Sequence, residues 1–142
     1  MEQSSLTITE HIEPEFSPSG LPTRHIVSER IGATGHFVAE QVLEPGQEVY
    51  RHHHDVEESL IFLSGTGIAS IENSQYSIAE NSSAFIPPGV IHGFQNTGGE
   101  PMRLLVLFPV PYFADTWFED VNRQTSEHFQ RSTDSIMRNE GK

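Results

Sequence analysis

The chain contains no cysteine. A disulfide framework and a cysteine-based metal site are both excluded. Basic residues are scarce: 8 Lys and Arg stand against 20 Asp and Glu, a net charge of −12 with His neutral. Binding a phosphate backbone needs clustered Lys and Arg. No basic stripe is present, and no nucleic-acid partner is expected. Long apolar runs are also missing; none approaches the roughly 20 residues that cross a bilayer. The first residues, MEQSSLTITEHIEPEF, lack the basic-then-apolar order of a secretory leader. These absences lead to the expectation of a cytoplasmic protein with no membrane partner.

Within 142 residues, 35% of them hydrophobic, there is room for one domain with one core. The apolar residues concentrate between Ile26 and Phe118. Residues 1–23 are polar and carry Pro14, Pro18, Gly20 and Pro22, which predicts an extended N-terminal arm. Residues 24–112 break into short segments such as HFVAEQVL, EVYRHHH, SLIFLSG, SAFIPP and MRLLVLFPV. Pro45-Gly46, Asn73-Ser74, Asn81-Ser82 and Pro88-Gly89 separate them as turns. Short strands at near-regular spacing predict an all-β, antiparallel sandwich or barrel. Past Pro111 the period of two fades. Over residues 113–142, Trp117, Phe118, Val121 and Phe129 form a partial helical stripe, which predicts a short helix closing one barrel mouth, then a polar tail.

The histidines carry the chemistry. In YRHHH, strand alternation puts Tyr50, His52 and His54 on one face and Arg51 and His53 on the other. A helix would set His52 and His54 about 200° apart, so only a strand makes them converge. A turn at Asp55-Val56-Glu57 brings Glu58 onto the neighbouring strand, where cross-strand side chains lie about 5 Å apart. His92 joins from a third strand, after the Pro88-Gly89 turn. Alternation predicts that Tyr50 points inward beside the ligands, where its phenol could handle a proton. Leu60, Phe62 and Phe94 should form an apolar wall. The faces taken by His36, Glu40, Gln41 and Arg103 are left open by the pattern, and His11, His25, His36 and His128 are read as structural or surface residues.

These residues resemble the two motifs of the cupin superfamily. Gly46, His52, His54, Glu58 and Gly65 fill every defined position of the first motif. Pro87, Gly89, His92 and Asn96 fill the second, with Asn81 where a glycine is usual. The resemblance implies a single cupin barrel, a double-stranded β-helix or jelly roll. It also implies that His52, His54, Glu58 and His92 are metal ligands. Three imidazoles and a carboxylate suit a divalent transition ion: Fe²⁺ (favoured), Mn²⁺, Ni²⁺, Co²⁺, Cu²⁺ or Zn²⁺. Three functions follow as expectations. The first is an oxygenase or dioxygenase acting on a small organic substrate. The second is a non-redox isomerase, lyase, cyclase or dehydratase, although Leu60 stands where some small cupin lyases carry a tyrosine base. The third is a binding barrel without turnover. A homodimer that exchanges the N-terminal arm is also expected, and a monomeric mass unchanged by deleting the arm would count against it.

Overall fold

The computed structural model describes residues 4–120 together with the backbone of 128 and 129. Twelve strands follow one another: β1 Glu15–Phe16, β2 Pro22–Val27, β3 Phe37–Leu43, β4 Glu48–His53, β5 Glu58–Ser64, β6 Gly67–Ile71, β7 Ser74–Ile78, β8 Ser82–Ile86, β9 His92–Asn96, β10 Met102–Phe108, β11 Thr116–Phe118 and β12 His128–Phe129. They form two antiparallel sheets of six, in the orders β1-β2-β3-β10-β5-β8 and β12-β11-β4-β9-β6-β7. The strands that follow each other in sequence from β3 to β5 alternate between the sheets, so the chain winds as a jelly roll.

Alternation decides what fills the interior. Along β3 and β10, Phe37, Ala39, Gln41 and Leu43 face Met102, Leu104, Val106 and Phe108 across the ladder, and all are buried. Phe62 on β5 meets Phe94 on β9 edge-on at 5.3 Å, which joins one sheet to the other. Burying each such ring contributes about 2–3 kcal/mol. Asn96 ends β9 fully enclosed and fully paired. Its Nδ2 donates to the Leu43 and Glu100 carbonyls at 2.9 and 2.8 Å, and its Oδ1 accepts from Gly98 N–H at 2.9 Å. A buried amide is tolerated here because both of its N–H groups and its oxygen have partners. Asn81 takes a left-handed φ of 64°, as the turn position in the second motif requires.

The N-terminal arm runs exposed through Leu6 and Ile8 before it meets the barrel. After one 3-10 turn at Thr9–His11, β1 and β2 pair as a hairpin whose tip, Ser17 to Gly20, folds over the barrel mouth. The expected C-terminal helix is corrected at Trp117 and Phe118. Both lie in β11, which pairs with β4 in the register Trp117↔His53 and Phe118↔His52. Thr116 and Phe118 are buried, whereas Trp117 turns outward and stacks on His53 at 5.4 Å. Three residues are too short a run for this alternation to compete with a helical stripe in the sequence. Phe129 belongs to β12, while Val121 and the rest of the expected helix fall outside the described residues.

His25 on β2 supplies a pH dependence. Its ring packs edge-on against Phe37 at 4.9 Å, and burial lowers its pKa from 6.5 to about 4 against the opposing charge of Glu15. The unfolded chain takes up this proton near pH 6.5, and the folded chain takes it up only near pH 4. Stability from this residue is thus complete above pH 6.5 and is lost as pH falls towards 4. Between pH 7 and pH 5 the loss is about 2 kcal/mol. Urea unfolding at the two pH values should show a smaller drop in His25→Gln than in the wild type, and equal drops would refute the assignment.

Candidate metal centre

The cluster is assembled by β4, β5 and β9. His52 and His92 lie directly opposite each other across the β4–β9 pair. His54 directly follows β4, and Glu58 opens β5. Gly89 joins the two motifs, its N–H donating to the His54 carbonyl at 2.8 Å with φ at 80°. All four side chains are buried, and their ligand atoms lie within 4.8 Å of one another.

Each imidazole is oriented by a backbone carbonyl. Nδ1 of His52 faces the Tyr50 carbonyl at 2.6 Å, that of His54 faces the Asp115 carbonyl at 2.9 Å, and that of His92 faces the Val90 carbonyl at 2.9 Å. A carbonyl can only accept, so each Nδ1 carries the hydrogen. In the neutral rings of His52 and His54 the Nε2 lone pairs therefore face each other, and His92 directs its Nε2 at Glu58 beside them. There, Nε2 of His52 and of His54 are 3.0 Å apart, and Glu58 Oε1 lies 3.5 Å from His54 Nε2 and 2.7 Å from His92 Nε2.

Burial keeps His52 well below its usual pKa, with the charge of His54 acting in the same direction. Burial also lowers His54, more than Glu58 and the Asp115 carbonyl raise it. His92 differs. Burial is again the largest single influence and pulls it down, but the hydrogen bond and charge of Glu58 and the Val90 carbonyl together raise it. Two neutral imidazoles facing each other lone pair to lone pair, beside a carboxylate, need a cation between them. The 3.0 and 3.5 Å separations suit neighbouring ligands on an ion with bonds of about 2.1 Å. The donor set fits a divalent transition metal.

A cavity lies against the cluster, about 320 Å³ including its solvent-open mouth. His52 and Glu58 form its metal-side end. Val49, Leu60, Phe94, Val106 and Phe113 give it apolar walls, and Gln41, Thr116 and the hairpin tip Ser17–Ser19 complete it. The expected walls at Leu60 and Phe94 are present, whereas Phe62 is buried behind them against Phe94 and does not line the cavity.

Tyr50 is not where alternation put it. A bulge between Val49 and His52 sets two residues of β4, Tyr50 and Arg51, against the single residue Gly93 of β9. The extra residue turns both Val49 and His52 inward, and Val49 lines the cavity in place of Tyr50, which is half-buried. A bulge resets the phase of a strand, and nothing in YRHHH signals one. His53 faces outward, as expected, against Trp117. Sequence reasoning missed Phe113, Thr116 and the Ser17–Ser19 tip as lining residues. Of these, only the alternation of Thr116, Trp117 and Phe118 left a trace. Gln41 faces inward. Glu40, beside it, faces the other way and pairs with Arg24 at 3.4 Å and with Arg103.

The Cupin domain family matches residues 39–108, the segment that holds all four clustered side chains. Mannose-1-phosphate guanylyltransferase RfbM of Salmonella typhimurium is 35% identical over 74 residues, 51% of this chain, but the chain spans only 15% of that enzyme's length. The polyketide cyclase RemF from Streptomyces resistomycificus superposes with a TM-score of 0.75 at 20% identity, over 88% of this chain and 92% of its own. Bacillus subtilis oxalate decarboxylase, with its Mn(II) centres, superposes with a TM-score of 0.68 at 20% identity, over 78% of this chain and 31% of its own. With both motifs, the jelly-roll topology and the family match in agreement, this chain belongs to the cupin superfamily.

Proposed function

We propose that the protein is a metal-dependent enzyme that acts on a small, largely apolar organic molecule, as an oxygenase of the dioxygenase type. His52, His54, Glu58 and His92 would hold the metal, with Fe²⁺ favoured over Mn²⁺, Ni²⁺, Co²⁺, Cu²⁺ and Zn²⁺. The observation that carries this reading is the composition of the cavity. Apart from His52 and Glu58, none of its lining residues is ionisable; the polar ones are Ser17, Ser19, Gln41 and Thr116. Acid–base catalysis works best with a group titrating near the working pH, and the cavity offers no such side chain outside the cluster. The metal would supply what the protein lacks, a site that binds a substrate oxygen and O₂ together.

The chain's own residues then have definite tasks. Leu60, Phe94, Val106 and Phe113 exclude water and hold the apolar body of the substrate. The three backbone carbonyls hold each Nδ1–H and so aim each Nε2 at the cluster. The Ser17–Ser19 tip narrows the mouth. A second reading, a non-redox cyclase or isomerase, draws on the overall likeness to RemF.

Purification without added metal, elemental analysis and oxygen-electrode assays over a panel of enolisable and phenolic compounds test the choice. The expected result is one redox-active metal per chain and substrate-dependent O₂ uptake that disappears in His52→Ala. Full turnover under strict anaerobiosis would overturn the oxygenase in favour of the second reading.

A further inference from the structure

Gln41 is buried to 3% exposure, on the inward face of β3, and lines the cavity. Its Nε2 donates to Thr23 Oγ1 at 3.2 Å, and Thr23 Oγ1 in turn donates to the Leu21 carbonyl at 2.9 Å. The order of this chain fixes the amide. Thr23 has one hydroxyl hydrogen and gives it to a carbonyl, so its oxygen can only accept from Gln41. The NH₂ of Gln41 must therefore point one hydrogen to Thr23, which leaves over its second N–H and its carbonyl oxygen. Among the described residues none donates to that oxygen. A buried acceptor without a donor costs about 1–3 kcal/mol, and a protein that keeps one beside a cavity has a use for it.

The ladder sets where the acceptor stands. Gln41 pairs with Leu104, and Leu104 with Phe62. One rung nearer the metal ligands, Val106 pairs with Leu60, and Glu58 lies two residues before Leu60 on the same face of β5. Leu60 and Val106 thus stand between Gln41 and the His/Glu cluster. The cavity has a metal-binding end, an apolar middle and a hydrogen-bond acceptor at the far end.

We infer that Gln41 is a specificity-determining residue, whose carbonyl oxygen receives a hydroxyl or N–H of the substrate at the end remote from the metal ligands. The substrate class follows: a small molecule with a metal-seeking oxygen at one end, an apolar middle, and a hydrogen-bond donor at the other. Thr23 is the positioning residue that stops the amide from flipping. This inference rests on the cavity being the substrate site and does not require the reaction to be an oxygenation.

The test uses the zinc-loaded protein, which is redox-silent, and matched probes that differ by one hydroxyl: benzoate with 4-hydroxybenzoate, phenylacetate with 4-hydroxyphenylacetate, and hexanoate with 6-hydroxyhexanoate. Calorimetry should show the hydroxyl member of at least one pair binding about tenfold tighter than its partner. In Gln41→Met the ratio should fall to near one, with zinc content unchanged and the thermal midpoint equal or higher. Gln41→Glu keeps an acceptor and should retain the preference. Should Gln41→Met fail to fold, Thr23→Val reads the same ratio, because a freed amide loses its fixed orientation.

A ratio near one in the wild type overturns the inference, as does a preference that survives in Gln41→Met or the absence of binding by every probe. A lowered midpoint in Gln41→Met with an unchanged ratio would make Gln41 a core residue only. Failure of O₂ uptake would sink the oxygenase reading and leave a positive result here standing.

Discussion

Glu58→Gln should yield a folded barrel that no longer retains its metal. The substitution preserves shape and removes the one negative charge that faces Nε2 of His54 and His92 at 3.5 and 2.7 Å. Three neutral imidazoles still offer lone pairs, but a divalent ion loses its only charge-neutralising donor in a buried site, where such a loss is poorly screened. Competition with a chromophoric chelator should show affinity falling by 100-fold or more, about 2.7 kcal/mol. Thermal unfolding gives a second reading. Metal at 100 times its dissociation constant stabilises the wild type by about 2.7 kcal/mol, and at the same concentration the variant should gain only about 0.4 kcal/mol. The metal-free variant should be about as stable as the metal-free wild type, because the new amide can keep a hydrogen bond to His92 Nε2 whichever of the two carries the hydrogen. Unchanged affinity would remove Glu58 from the ligand set.

Much of this site was legible in the sequence because it is written in the two simplest signals of a strand. The period of two separates His52 and His54 from His53, and the turn residues between segments tell how the strands follow one another. Glu58 and His92 were placed by the same rules, and Asn81 was recognisable as a left-handed turn residue. What could not be read has physical reasons. The β4 bulge changes the phase of alternation at one residue, and that depends on how β4 meets β9, not on the residues of β4 alone. Tyr50 was assigned inward for that reason. Gln41 could not be oriented until Thr23 and Leu21 were seen beside it, since an amide's direction is set by its partners. The C-terminal segment misled because Trp117 and Phe118 are adjacent aromatics. On a helix they fall on one broad face, and on a strand they fall on opposite faces. Only the pairing of β11 with β4 decides between the two.

Gly93→Ala tests whether the bulge aims the metal centre. Gly93 is the single residue of β9 that faces both Tyr50 and Arg51 of β4. A Cβ placed there would meet Val49 O at 2.7 Å, Arg51 N at 3.1 Å and Arg51 Cα at 3.2 Å. All three are backbone atoms of the bulge itself, so no side chain can turn aside to make room. The strands must separate, and they must do so next to the His52↔His92 pair. Urea unfolding of the chelated protein should show a loss of about 2–3 kcal/mol, in the range of overpacking a close backbone contact. Separating the two strands also moves the Nε2 atoms of His52 and His92 apart, so metal affinity measured by chelator competition should fall about tenfold or more, in line with the sensitivity of ligands to what orients them. Gly99→Ala is the matched control, since a Cβ there meets nothing within 4 Å, and both measurements should stay at wild-type values. If Gly93→Ala loses stability but keeps full metal affinity, the bulge shapes the barrel without setting the position of His52.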